Sequence, residues 1–512
     1  MNNSSRAAYN TVVIYIQLIL STLIGLFTIR YVLQALGNVD YGIYMLVAGV
    51  VAMLRFLSSS MTNASMRYMA HSLGKNDIEE SKRTFNTALY IHLLLGAAIV
   101  VVLELGGWGM FKWMLDIPVD RMFAAEIVFQ CMILSTFISI ISVPYDAVIT
   151  SHENLLALSL VTLLGHTLNL LVAIYLLRSG EDQLIIYGIL TAVVNIVERG
   201  IKQIYCAHKY PECGVKIKSY KDKGLIKSML TFTSWEMLAS VAAVCSSQLR
   251  GILINMFYGV SLNAGEGIAK RVNEQVNQVS VGITQSLTPQ MNKSEGSGDR
   301  GRLIRLTYVG VKYTTFMFAL LAVPIAMEAP FLLGVWLGDV PPFAVMFCQL
   351  TIVIQLFNKM TWQISNAIRS VGKIKMPRIV NGSLTIISMI VAYIVFKIGG
   401  SATSIYYVQI AFTLIDGAFL LYFGKTIVGI NPWGFIRKTT LPVVIPLLIA
   451  MGSAMYIQMA LPQGWLRFLL DFSVFALLFS VLFYFFSITK EEKVTLNGIV
   501  HSFVNKLRKH LK

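Results

Sequence analysis

The sequence predicts an all-α polytopic membrane protein with about 14 transmembrane helices. Three observations support this fold class: the composition, the number of long apolar runs and the placement of basic residues. Of the 512 residues, 56% are hydrophobic and 13% are charged. The charged fraction is about half of the ~25% that is usual in soluble domains. This composition excludes a disordered chain, a soluble multidomain enzyme and a disulfide-rich scaffold.

Fourteen runs have the length of about 20 apolar residues that a helix needs to cross a bilayer core of ~30 Å. The run at 265–290 is the least apolar of them. The predicted spans are 11–33, 41–61, 86–110, 122–143, 155–177, 184–206, 229–255, 265–290, 307–328, 343–368, 379–396, 403–424, 439–460 and 467–488.

Basic residues alternate between the two sides of these spans. With the N-terminus inside, the inner segments hold 30 Lys and Arg, and the outer ends hold six. Such a bias marks the cytoplasmic side, so both termini are predicted to be cytoplasmic. The longest inner connection is basic, and we interpret it as the joint between two six-span lobes. The predicted domains are an N-terminal lobe (1–206), a linker (207–228), a C-terminal lobe (229–424), two appended spans (425–490) and a basic amphipathic tail (491–512) that lies on the inner leaflet.

The net charge of +16 and the five cysteines point to no nucleic acid, metal or cofactor. In a lipid-embedded chain, basic excess marks cytoplasmic loops. The cysteines form no C-x-x-C motif and have no zinc-ligand spacing, so they are expected to be buried thiols.

An internal repeat relates the two lobes. Span 1 is followed by Gly37 and span 7 by Gly259, and similar small and polar residues follow spans 2 and 8, at an offset of about 220–225 residues. An even number of spans separates the copies, which therefore share one orientation. Parallel repeats of this kind place a substrate site between halves. Chance recurrence of small residues remains the alternative.

Span 8 carries a polar stripe. On a helix, its polar residues fall on one half: Glu266, Lys270, Asn273, Glu274, Asn277, Gln278, Ser280, Thr284, Gln285 and Thr288, with Arg271 at the edge. A charge at the bilayer centre costs about 2.5–3.5 kcal/mol. The stripe is therefore predicted to line a wet cavity or to pair internally, and the alternative is a cytoplasmic amphipathic helix between two spans.

Polar residues concentrate in spans 1, 2, 7 and 8, and those spans supply the candidate substrate-binding residues. These are Arg30, Arg55, Glu236, Arg250, Lys270, Arg271, Glu274 and Asn277. Guanidinium groups bind phosphate through charge-assisted hydrogen bonds, and Ser, Asn and Gln suit hydroxylated ligands. No P-loop motif is present, so an ion gradient or the membrane potential is the expected driving force. No catalytic or metal-binding residues are predicted.

Five other polar residues inside spans have simpler interpretations. Lys312 and Lys359 are expected to snorkel to the inner interface. His166 and Asp416 are isolated and are expected to be structural, as is His92.

Three stretches resemble bacterial oligosaccharide flippases of the multidrug/oligosaccharidyl-lipid/polysaccharide (MOP) exporter superfamily. They are RAAYNTVVIYIQLILSTLIGLFTIRYVLQALG with the following NVDYGIY (6–44), PYDAVITSHENLLALSLVTLLGHTLNLLVAIYLL (144–177) and QISNAIRSVGKIKMPRIVNG (363–382). The resemblance implies a MATE/MOP-like fold of two six-helix lobes around a central cavity, here with two appended helices.

The resemblance also implies a function. Such flippases move undecaprenyl-pyrophosphate-linked oligosaccharide repeat units to the outer leaflet of the bacterial cytoplasmic membrane by alternating access, for lipopolysaccharide, capsule or exopolysaccharide. The implied partners are the lipid-linked oligosaccharide, the bilayer, and polysaccharide polymerase and chain-length machinery. One alternative is a cation-coupled drug or metabolite antiporter of the same fold. The other is an integral membrane polymerase or glycosyltransferase, which the short predicted outer loops disfavour, so no enzymatic activity is expected.

Overall fold

The computed structural model describes residues 3–52, 55–113, 118–180, 182–220, 222–337, 340–489 and 492–493. All regular secondary structure in these ranges is helical, as the composition predicts. Twelve of the helices are long and apolar enough to cross a membrane. The chain is therefore a multi-pass membrane protein.

The chain divides into two compact units. The N-terminal unit comprises residues 10–237, and the C-terminal unit comprises residues 238–512 together with 1–9. The first eight helices are α1 (Asn3–Ala52), α2 (Arg55–Gly74), α3 (Ile78–Trp113), α4 (Met122–Ser151), α5 (Leu155–Leu176), α6 (Gln183–Lys209), α7 (Ile217–Tyr220) and α8 (Lys223–Tyr258).

The remaining nine helices belong to the C-terminal unit. They are α9 (Val260–Gly296), α10 (Arg300–Met327), α11 (Ala329–Leu337), α12 (Ala344–Val371), α13 (Lys375–Lys397), α14 (Ser404–Phe423), α15 (Pro432–Phe435), α16 (Leu441–Ala460) and α17 (Trp465–Phe486). In this unit α9, α10 and α12 pack closely against one another, and α14 packs against α12 and α13. In the N-terminal unit α4 packs against α2, α3 and α6.

The twelve candidate spans coincide with twelve of the fourteen predicted ones. The predicted spans 41–61 and 265–290 are not among the twelve. The first falls on the end of α1 and the start of α2, where residues 53–54 lie outside the described ranges. The second lies within α9, a helix of 37 residues. The segment 265–290 is rich in polar residues, and 41–61 runs across residues outside the described ranges, so the crossing of the membrane by both segments, and with it the count of fourteen, stays a prediction.

Gly37 and Gly259 share one backbone conformation. Gly37 has φ 69° and ψ 179°, and it kinks α1. Gly259 has φ 85° and ψ 177°, and it separates α8 from α9. A positive φ is unfavourable for residues with a Cβ, so glycine is the residue that suits both positions. The matching geometry at the predicted offset supports the predicted repeat.

The linker 207–228 is bound to the N-terminal unit. The side chain of Asn86 on α3 donates to the Gly214 carbonyl (3.0 Å) and accepts from the Lys216 N–H (2.7 Å). His152, which follows α4, hydrogen-bonds Glu212 at 2.5 Å and stacks on Tyr210. The first part of the linker is therefore held in place by α3 and by His152 at the end of α4, within the N-terminal unit.

The last long helix, α17, packs against α10 through aromatic rings. Phe316 of α10 lies 4.1 Å from Phe483 and 5.0 Å from Phe479, measured between ring centroids. The opposite faces of α16 and α17 carry exposed large hydrophobic side chains. We infer that these faces contact lipid, as predicted for the two appended spans.

A buried charged cluster joins the end of α10 to the start of α17. Arg467 donates to Glu328 (2.7 Å), and the Gln458 amide lies 3.2 Å from Glu328 and 3.4 Å from Asp471. Glu328 and Asp471 are fully buried. One Asp471 oxygen, Oδ1, has no hydrogen-bond partner in the described part of the chain.

Lys312 anchors the segment after α17. Its ammonium group is buried and donates to the Ser487 carbonyl (2.9 Å) and to both Glu492 oxygens (2.7 Å). Thr489 and Glu492 form a reciprocal capping box, because each backbone N–H donates to the other side chain. The expectation that Lys312 snorkels is therefore wrong, since a carboxylate meets it inside the protein. The predicted amphipathic tail (494–511) lies outside the described residues.

Candidate functional site

A polar cavity of about 290 Å³ lies within the C-terminal unit. Four helices supply its walls: α8, α12, α13 and α14. Its polar lining consists of Ser246, Ser247, Arg250, Gln355, Asn358, Asn381, Thr385, Ser388, Gln409, Thr413 and Asp416. Amide, hydroxyl, guanidinium and carboxylate groups thus meet around one open cavity, which suits a ligand that both donates and accepts hydrogen bonds.

Helical spacing in otherwise apolar spans creates this cavity. Asn381, Thr385 and Ser388 follow one another at intervals of four and three residues on α13, which places them on one face. Gln409, Thr413 and Asp416 follow the same spacing on α14. Asp416 accepts a hydrogen bond from Asn381 (3.2 Å), which joins the two faces.

Arg250 lines the cavity and is paired with an acid. Its Nε donates to Glu266 Oε1 at 2.5 Å, and its Nη1 donates to Gln409 at 2.8 Å. Glu266 also accepts a hydrogen bond from the Tyr406 hydroxyl. The guanidinium carbon lies 5.5 Å from the centre of the Tyr406 ring. The positive charge that the sequence assigns to substrate binding is therefore largely balanced by Glu266.

The polar stripe of α9 divides into two edges. Asn277 and Thr284 point inward, where they hydrogen-bond Lys359 and Gln363 of α12. On the other edge, Arg271, Glu274, Gln278 and Gln285 are exposed. One edge therefore pairs internally, and the other lies at the surface of its unit. The expectation that the stripe lines a wet cavity stays a prediction.

The other candidate residues do not gather around the cavity. Lys270 hydrogen-bonds Gln248 (3.4 Å), and neither residue lines the cavity. Arg30 is exposed on α1, and Glu236 is buried on α8. Arg55 begins α2, and its side chain lies outside the described residues. Of the eight candidates, Arg250 alone lines this cavity among the residues that the structure describes.

Sequence reasoning missed the polar residues of α12, α13 and α14. Asp416 was expected to be isolated, but it lies in the cavity wall with Asn381. The signal that could have identified the site was the three- and four-residue spacing of polar side chains on α13 and α14. Lys359 was expected to snorkel, but it is buried against Asn277, so that expectation is wrong.

Comparison with solved structures identifies the fold. The structure of a MATE point mutant matches with a TM-score of 0.73 and 14% identity, covering 84% of this chain and 97% of that one. An outward-facing multidrug resistance MATE family transporter of the MOP superfamily matches at 0.72 and 13%, covering 84% and 96%. A MOP superfamily transporter from Pyrococcus furiosus, described as having a binding pocket of reverse polarity, matches at 0.70 and 14%, covering 84% and 96%.

The chain has the MATE fold. The match covers 96–97% of each of these three structures. Because the sequence identity is only 13–14%, the likeness shows the fold alone. No family model and no curated protein matches the sequence. Two of these neighbours are described as transporters.

Proposed function

We propose that the chain is a transporter that flips undecaprenyl-pyrophosphate-linked oligosaccharide units from the inner to the outer leaflet of a bacterial cytoplasmic membrane by alternating access. The observation that carries the proposal is the 290 Å³ cavity, whose walls hold eleven polar residues inside a MATE-type helix bundle. Amides and hydroxyls at this density match the alternating donors and acceptors of a sugar. A purely apolar cargo would leave these groups unpaired, which is costly in a low-dielectric interior.

The proposed sugar-binding role of the cavity predicts which substitutions should slow transport. Asn381→Ala and Gln409→Ala each remove an amide from the wall and should slow the flipping of a defined lipid-linked oligosaccharide by about tenfold per lost hydrogen-bonding pair. Transport is measured in proteoliposomes, as protection of the fluorescent oligosaccharide from an external glycosidase. Ser453→Ala is the matched control, because its hydroxyl bonds Ala450 of its own helix away from the cavity. Unchanged flipping in both cavity variants contradicts the proposal.

Asp416 favours a second candidate, a cation-coupled drug or metabolite antiporter. An acid in a membrane cavity attracts cations, and two neighbours with this fold are described as MATE proteins. This function predicts that wild-type protein confers resistance to cationic drugs on a pump-deficient strain and that Asp416→Asn abolishes it. Drug resistance without oligosaccharide flipping would select the antiporter.

A further inference from the structure

Lys359 is a buried cation without an acidic partner among the residues described. It lies in the middle of α12, and 9% of the residue is exposed. Its ammonium group donates to the neutral side chain of Asn277 on α9 at 2.5 Å. The rings of Phe318 and Trp362 lie 5.7 and 5.9 Å from Nζ, near the limit for a cation–π contact. The charge is therefore held by one amide and weakly by two rings.

Three other cations of the C-terminal unit, Lys312, Arg467 and Arg250, have carboxylates beside them. Lys312 is paired with Glu492 at 2.7 Å. Arg467 is paired with Glu328 at 2.7 Å, and Arg250 with Glu266 at 2.5 Å. Within the described ranges Lys359 forms no such salt bridge, and α9, α10 and α12 present no carboxylate within ion-pair distance of its Nζ. Lys359 therefore differs from Lys312, Arg467 and Arg250, which are each paired with a carboxylate.

The ammonium group of Lys359 has spare hydrogen-bonding capacity. An ammonium group has three donors, and the hydrogen bond to Asn277 uses one of them. Buried polar groups are usually satisfied, and an unpaired buried charge is costly. A site that keeps this charge and leaves its donors open is suited to an incoming anion.

Exposed side chains lie close to Lys359 on both α12 and α9. Trp362 lies one turn from Lys359 on α12, and 40% of it is exposed. Next to Asn277, α9 exposes the polar side chain of Gln278. The ammonium group therefore lies near Trp362, a side chain that is partly exposed at the surface of its unit.

We propose that Lys359 is the anion-binding residue that holds the phosphate or pyrophosphate group of the transported lipid. The choice of ligand rests on the proposed function, whereas the unpaired charge does not. Arg250, the sequence-predicted phosphate ligand, is already engaged by Glu266. Lysine offers a compact charge with rotatable donors, which suits an oxyanion that must be bound and then released.

Binding by purified full-length protein in nanodiscs tests this assignment. The probes are farnesyl pyrophosphate and inorganic pyrophosphate, with farnesol as the uncharged control, and the readouts are calorimetry and tryptophan fluorescence. Wild-type protein should bind both pyrophosphates, and farnesol should bind more weakly than farnesyl pyrophosphate. Lys359→Met should weaken pyrophosphate binding by about tenfold to a hundredfold, the loss expected for a charge-assisted hydrogen bond. Lys359→Arg should stay within about threefold of wild type because it keeps the positive charge.

Thermal stability separates a binding role from a structural one. Lys359→Met removes an uncompensated charge and should raise the melting temperature. Lys312→Met is the matched control, because it removes a paired lysine, leaves Glu492 without its partner and should lower the melting temperature. Loss of stability in Lys359→Met as large as in Lys312→Met would assign Lys359 a structural role and overturn the proposal.

Two further results overturn the assignment. Pyrophosphate binding by Lys359→Met at wild-type affinity excludes the lysine as ligand. Equal loss of pyrophosphate binding in Lys359→Arg and Lys359→Met would show that the positive charge at this position does not bind the anion. The proposed function can fail separately: pyrophosphate binding through Lys359 without oligosaccharide flipping refutes the flippase and leaves the anion site. Wild-type flipping by Lys359→Met refutes the anion site and leaves the proposed flippase function standing.

Discussion

Arg250 of α8 and Glu266 of α9 form a buried ion pair across the cavity wall, with 2.5 Å between Nε and Oε1. Both also contact Tyr406 of α14, which lies under the guanidinium and donates its hydroxyl to the carboxylate. The cavity therefore presents a guanidinium whose charge is balanced and whose position is fixed. Such a group can orient a ligand through hydrogen bonds, but it attracts an anion only weakly because its charge is balanced.

Breaking this pair should destabilise the protein. Glu266→Gln leaves Arg250 buried without its counter-charge, and we expect a loss of about 3–5 kcal/mol in unfolding free energy. The double variant Arg250→Met with Glu266→Gln should lose less than the sum of the single variants. Thermal unfolding of the detergent-solubilised protein measures both. Arg271→Met, at an exposed position of α9, is the control and should change stability by less than about 0.5 kcal/mol. Additive losses would mean that the pair is not coupled.

Gly37 and Gly259 should each be intolerant of a side chain. Their φ angles of 69° and 85° lie in the left-handed region, where alanine costs about 1–2 kcal/mol. Gly25, inside α1, has no heavy atom near the place of an added Cβ and has a helical φ. Gly25→Ala should therefore stabilise the helix by about 0.5–1 kcal/mol. Melting temperatures of the three variants test this contrast, which equal effects in all three would refute.

The contact between Glu212 and His152 should hold the linker in a pH-dependent way. Burial alone would raise the pKa of Glu212, but hydrogen bonds from His152 and from its own backbone N–H hold that pKa below the ordinary 4.5. A lowered pKa means that the docked linker binds protons less readily than the undocked one. The stabilisation is thus complete above pH 4.5 and is lost as the pH falls through the lowered value.

Hydrogen exchange of residues 210–220 measures this docking. At neutral pH, Glu212→Gln should exchange faster there than wild type, because the charged acceptor of His152 is lost. Asn86→Ala should have a similar effect by freeing Gly214 and Lys216. Glu126→Gln replaces an exposed acid on α4 and serves as control. Wild-type exchange rates in both docking variants would show that other contacts hold the linker.

Glu328 and Asp471 should respond oppositely to neutralisation. Glu328→Gln removes the partner of buried Arg467 and should cost about 3–5 kcal/mol. Asp471→Asn removes a buried charge whose Oδ1 has no partner in the described residues, and it should be neutral or stabilising. Paired melting curves at neutral pH test the difference. A large destabilisation by Asp471→Asn would indicate that its carboxylate is needed for the cluster.

Local features of the fold were predictable from the sequence. The apolar runs of the sequence located the twelve helices that qualify as spans. A helix in lipid must form its backbone hydrogen bonds internally and can carry few charged side chains, so it is recognisable from a short stretch of sequence. Gly37 and Gly259 were recognisable because their conformation demands glycine regardless of what surrounds it. Features of this kind depend on a short stretch of chain and on the solvent around it.

The pairing of charges was not predictable, because it depends on which helices become neighbours. Arg250 appeared in the sequence as a free cation, and its neutralisation by Glu266 depends on the approach of α8, α9 and α14. Lys359 was expected near an interface, yet α9 and α10 enclose it. Glu328 and Arg467 are 139 residues apart, and no spacing rule relates them. Contacts between distant segments therefore decided the candidate site.

The salt bridge between Lys312 and Glu492 makes residues 487–489 and 492–493, which follow α17, a part of the folded unit. Removing residues from Thr489 onward would strip a lysine deep in α10 of its counter-charge, whereas ending the chain after Lys493 would keep both the lysine and the capping box satisfied. Reporter fusions at this terminus should therefore extend the sequence and never replace Glu492. A fusion that did so would lower the yield of folded protein for reasons unrelated to transport.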